Sequence, residues 1–220
     1  MAVSRPETRQ FEAFMTNLSY ARRMAKAGRI LTPFRSPTID IDDFYRAAWV
    51  QAVAALDHWL HEEVLRRVAE LTLQDSPAMP PQLRRYELPL HRVEAVRRGE
   101  VTLSEAVVEH LRDKLSVQAL QHPGKIAEVL KLVTEKKVWF EVAGCINKEF
   151  FQGRTTFNEK TLRSRFLEIT QRRNKIAHDA DLIDGDLKQR RPIDEAEVTD
   201  AIDWIERIAL AMAHVLDDEG

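Results

Sequence analysis

An all-helical protein is what the sequence predicts, on three observations. Glycine is scarce, 7 residues in 220, while the strong helix formers Ala, Leu, Glu and Arg dominate. Apolar residues recur three and four positions apart in several long stretches, the repeat of one helical face. The segments between those stretches carry prolines or polar clusters that interrupt helix. A length of 220 residues with 44% hydrophobic and 31% charged content suits one globular domain, residues 1–220, with a sizeable core.

The first helix is expected over about Pro6–Gly28, with Phe11, Phe14, Met15, Leu18 and Ala25 on one face. The connector LTPFRSPTID follows, broken by two prolines. Asp40 suits the cap of the second helix, and Asp42 and Asp43 favour its positive end. That helix, Ile41–Leu71, is the strongest element. Trp49, Ala52, Val53, Leu56, Leu60, Val64 and Val68 form one continuous stripe, so it should be the central packing helix. Residues 72–155 are expected to be a loop followed by a helical insert. The loop, 72–90, holds four prolines. The insert has helices near Glu87–Arg98, Leu103–Leu120 (capped by Thr102 or Ser104), Gly124–Thr134 and Val138–Phe150. Residues 158–181 form the next helix, started by Asn158 or Thr161, and the last runs over Asp194–Leu216.

The formal net charge of −2 argues against a global basic field, so a nucleic-acid site would have to be local or shared between subunits. One cysteine, Cys145, excludes an internal disulfide and a Cys-rich zinc site, which fits a reducing, cytoplasmic setting. No stretch is apolar for long enough to span a bilayer: the most apolar, AAWVQAVAAL, is short and contains Gln51. The N-terminus lacks the apolar region of a secretory signal.

The stretch RRNKIAHDAD, Arg172 to Asp181, breaks its own helical pattern. Leu162, Phe166, Ile169, Ile176 and Ala180 share one face, and Arg173 sits on that stripe. A permanent cation on a buried face needs a partner. Asp57, at the edge of the second helix's stripe, is the leading internal carboxylate for Arg173, either as a structural salt bridge or as a support behind the site. His178 lies five residues on, about 140° around the helix from Arg173. The two converge only if the arginine stem bends round, if the helix ends near His178, or if a second subunit supplies one of them. Asn174 stands one turn before His178, where it can orient the imidazole.

Here the sequence resembles the HEPN domains, whose signature is R-N-x-x-x-H; the matching residues are Arg173, Asn174 and His178. The second helix, DIDDFYRAAWVQAVAALDHWLHEEV, is similar to the corresponding helix of the RiboL-PSP-HEPN subgroup. The resemblance implies an all-α HEPN-like bundle with a helical insertion, paired into a homodimer. It further implies a metal-independent endoribonuclease with its cleft between two copies of the motif, acting as a toxin or phage-defence effector. The expected partners are RNA, a second copy of the chain, and an antitoxin or defence-system component; no cofactor and no metal are expected.

RNA supplies its own nucleophile, the 2′-hydroxyl. His178 suits the proton transfers, which contribute roughly 10²–10⁴-fold. Arg173 suits the charge that builds on phosphorus, because a guanidinium stays charged and matches phosphate geometry. Arg172 and Lys175 are the expected RNA-phosphate contacts, with Lys160, Arg163, Arg165, Lys188, Arg190 and Arg191 as a wider basic surface. Against this stand two rivals: a non-catalytic HEPN module that binds nucleotide, RNA or protein, and a purely structural protein with Arg173 in an internal ion pair. The string HWLHEE lacks the H-E-x-x-H metal arrangement, and Cys145 has no neighbouring histidine to make it a nucleophile.

Overall fold

The computed structural model describes residues 3–36, 40–73, 79–154 and 156–218. Among them every long element is helical, and Leu182 and Arg190 form an isolated antiparallel β-bridge. No helix there is long and apolar enough to cross a membrane.

Helix α1, Arg9–Leu31, starts where the Thr8 side chain accepts a hydrogen bond from Phe11 N. It runs through Gly28 because α2 crosses there. A Cβ on Gly28 would lie 2.8 Å from the Tyr45 ring, so only glycine permits that approach. Helix α2, Asp42–Leu73, has 32 residues and spans roughly 48 Å. The Asp40 side chain accepts from Asp42 N at its start, as the sequence suggests. It packs against α1, α5 (Leu103–Ser116), α8 (Glu159–His178) and α9 (Glu195–Asp217), so it is buried on more than one side. That explains why Ala48, Ala55 and Leu65 are buried outside the single stripe expected of it.

The Pro-rich segment carries a one-turn helix, α3, at Pro81–Arg84, followed by α4, Leu90–Arg97. Thr102 and Glu105 form a reciprocal capping box at the start of α5. Helix α5 ends at Ser116, four residues short of the expected Leu120, because α2 takes over the freed backbone groups. The His61 ring bonds Leu115 O at 3.1 Å and Gln118 O at 2.9 Å, and the Asp57 carboxylate accepts Leu120 N at 2.5 Å. Helices α6, Pro123–Leu130, and α7, Val138–Glu149, complete the segment 72–155. Leu111, Leu120, Ile126, Trp139 and Ile146 from this segment join the same core as α2 and α9.

Aromatic side chains fix the main crossings. Trp59 packs on Phe11 and Phe14 of α1, with centroids 5.5 and 5.8 Å away. Trp139 of α7 meets Phe166 of α8 at 5.3 Å. Trp49 Nε1 donates to Ile169 O at 2.9 Å and docks α8 on the first half of α2. The C-terminal end of α8 thereby comes to lie beside the start of α2.

Candidate functional site

Helix α8 opens on an Asn158 cap, its side chain accepting from Thr161 N, and ends with His178 as its last residue. Its buried residues are Leu162, Phe166, Ile169 and Thr170; burial stops there. Past Thr170 the stripe is only partly covered at Arg173 and Ile176, and Ala180 is exposed beyond the helix. The cation on the apolar face thus sits where the core ends.

Arg173 has no carboxylate partner among the described residues. Its one hydrogen bond goes sideways, from Nη1 to Asn174 Oδ1 at 3.1 Å, and its Nε is buried without a partner. One edge of the guanidinium is thereby tied to Asn174, which stands one turn before His178. The helix ends at His178, one of the conditions under which the two side chains can converge. Asn174 and His178 are exposed, and neither the imidazole nor the free edge of the guanidinium is held by a carboxylate among the described residues.

The neighbouring cations are differently employed. Arg172 donates to Asp181 Oδ2 at 2.9 Å and to Pro192 O at 3.0 Å, with its side chain 19% exposed. Lys175 pairs with Asp184 at 2.6 Å. Hydrogen bonding from Lys175, with the charges of Lys175 and Arg191, holds the Asp184 carboxyl below its usual range. Both residues expected to face RNA phosphates thus carry internal partners in this fold. The wider basic surface is largely paired as well: Arg163 with Glu159, Arg165 with Glu168 and Asp200, Arg190 with Asp43, and Arg191 with Asp184.

Asp57 has its hydrogen bond with Leu120 N and lies 3.8 Å from His61 Nδ1. It stands eleven residues beyond Arg46, roughly 16 Å further along α2 than the level that meets the end of α8. Its expected contact with Arg173 or His178 is therefore replaced by a structural role at the end of α5. His61, the inner histidine of HWLHEE, has Nε2 on two carbonyls and Nδ1 at 2.6 Å from Asp57 O. No group of three metal-ligating side chains occurs among the described residues.

Two residues at this end of the bundle escaped the sequence reading. Asp181, the last residue of RRNKIAHDAD, is fully buried (0% exposed) and accepts from Arg46 Nε at 3.0 Å as well as from Arg172. Arg46 is buried on α2, three residues before Trp49 on its apolar face, the same anomaly that singled out Arg173. That spacing was the available signal. No family model, no curated protein and no solved structure matches the chain.

Proposed function

We propose that the chain is a HEPN-like, metal-independent endoribonuclease that works as a homodimer, in the role of a toxin or phage-defence effector. One observation carries this most directly. In the doublet Arg172–Arg173, the first arginine is consumed by a buried carboxylate, whereas the second is turned toward Asn174 on the exposed face that ends in His178. A cation held without a counter-charge near a helix end that carries an exposed histidine suits an anionic ligand that carries a transferable proton.

In the proposed reaction the RNA 2′-oxygen attacks the adjacent phosphorus and the bond from phosphorus to the 5′-oxygen breaks. One His178 accepts the 2′-hydroxyl proton, and the His178 of the second copy delivers a proton to the departing 5′-oxygen. Arg173 stabilises the charge that accumulates on the non-bridging oxygens. Twofold symmetry brings both pairs to one phosphate and supplies the acid and the base from the same residue. The products are a 2′,3′-cyclic phosphate and a 5′-hydroxyl.

The test is end-group mapping of RNA incubated with the purified protein in EDTA, beside His178→Ala. Cyclic-phosphate and 5′-hydroxyl ends in the wild type, absent from the variant, are expected. Recovery of 3′-hydroxyl and 5′-phosphate ends would refute the chemistry. Intact RNA with unchanged RNA binding in the variant would instead indicate a binding module without turnover.

A further inference from the structure

The connector after α8 buries a carboxylate, which is unfavourable unless the group is well paired. Asp181 is three residues past His178 and completely shielded from solvent. Its Oδ2 receives Arg46 Nε from α2 at 3.0 Å and Arg172 from α8 at 2.9 Å, while its Oδ1 is buried with no partner among the described residues. Its main chain is tied as firmly: N donates to Lys175 O at 3.0 Å, and O accepts Arg191 N at 2.7 Å. Arg46, its side chain 5% exposed, also donates to Arg191 O at 2.9 Å. Three segments, α2, α8 and the connector, thus meet at one carboxylate.

The backbone is strained to achieve this. Ala180 and Asp181 both adopt left-handed conformations, at φ 48° and 59°, with no glycine to relieve them. Such conformations persist where the surroundings over-determine them, and they gather at functional sites. The chain leaves this contact at Arg172 and returns to it at Asp181. The residues enclosed between are Arg173, Asn174 and His178 with their spacers.

We propose that Asp181, together with Arg46, is the positioning pair of this site. It fixes the backbone of the last turn of α8 and so the directions of the His178 ring and the Arg173 fork, without itself touching RNA. This role rests on the ribonuclease reading above. The physical need is plain: the His178 ring makes no hydrogen bond among the described residues, so its position is inherited from the backbone beneath it. Misplacement of a reacting group by about 1 Å costs on the order of 100-fold in rate.

The experiment uses the full-length chain as Asp181→Asn, which keeps the side-chain shape and removes its charge. Single-turnover RNA cleavage, RNA affinity and amide hydrogen exchange are measured together. The cleavage rate should fall roughly 10–100-fold with affinity within about twofold, and amides of residues 175–182 should exchange faster while those of α2 and α9 stay protected. Wild-type cleavage in the variant would overturn the proposal. So would unchanged exchange at 175–182, or a uniform rise in exchange along the chain, which signals general destabilisation. Arg172→Gln interrogates the same contact from α8 and serves if Asp181→Asn does not fold. His178→Ala separates the two levels. If that variant still cleaves, the ribonuclease site is wrong; if it is dead while Asp181→Asn is fully active, only the positioning role is wrong.

Discussion

Replacing each arginine of the doublet by alanine separates their roles through stability alone. Arg172 donates to a fully buried carboxylate, so its removal forfeits a hydrogen bond to a charged group, a net loss of about 1.5–3 kcal/mol. The larger penalty of breaking a buried ion pair, about 3–5 kcal/mol, does not apply in full. Arg46, which also pairs with Asp43, remains on the same oxygen. The freed Pro192 carbonyl is in an exposed contact and passes to water. Arg172→Ala should therefore lose about 2 kcal/mol. With a urea slope of about 2.5 kcal/mol/M, the unfolding midpoint falls by about 0.8 M. Arg173 forfeits only an exposed bond to its sequence neighbour, so Arg173→Ala should change stability by no more than about 0.5 kcal/mol and the midpoint by no more than about 0.2 M. The assay is equilibrium urea unfolding followed by circular dichroism, at one fixed protein concentration because the stability of the proposed dimer would depend on it. Equal losses in the two variants, or a larger loss at Arg173, would refute the assignment and return Arg173 to a structural ion pair.

Two further outcomes follow from ionisable groups in the bundle. Glu63 is buried on α2; burial alone pushes its carboxyl up, but hydrogen bonding from Arg66 and the charges of Arg67 and Arg66 hold it below the ordinary value of 4.5. A carboxyl lowered on folding stabilises the fold above its unfolded pKa, and that contribution disappears as pH falls through the lower folded value. Acid titration by circular dichroism should therefore show Glu63→Gln less stable than wild type at pH 7, with the gap closing below about pH 4.5; a gap that persists in acid contradicts the linkage. Burial, helped by Glu149, pushes the Cys145 thiol up to about 11. At pH 8 its thiolate is then about one part in a thousand, and labelling by a thiol reagent should accelerate about 100-fold on unfolding in guanidinium. Fast labelling of the folded protein would show that the thiol is not shielded.

The helices were legible because their signals are local. Asn158, Thr102 and Asp194 accept from backbone N–H groups three residues on, and each marks the start of its helix. The stripe on α2 likewise identified the central helix, although burial on several sides was not readable from a single periodic face. Helix ends depended on distant partners. The stop of α5 at Ser116 is made by His61 and Asp57, more than fifty residues earlier, and no local residue announces it. The candidate site was legible in part. Arg173, Asn174 and His178 stood out by type and spacing, but nothing local announced that Arg172 would be taken up by a buried carboxylate while Arg173 is left without one.

What the sequence determines by itself is the set of helices, their apolar faces and the identity of an arginine, an asparagine and a histidine at one helix end, because periodicity and capping act over three or four residues. What only the tertiary structure decides is which charges are left to act. Asp181 comes to Arg46 across 135 residues of chain and claims Arg172 on the way. Coulomb attraction and the exclusion of water depend on distance in space, not along the chain, so the pairing that takes up Arg46 and Arg172 is complete only once α2 and α8 have packed.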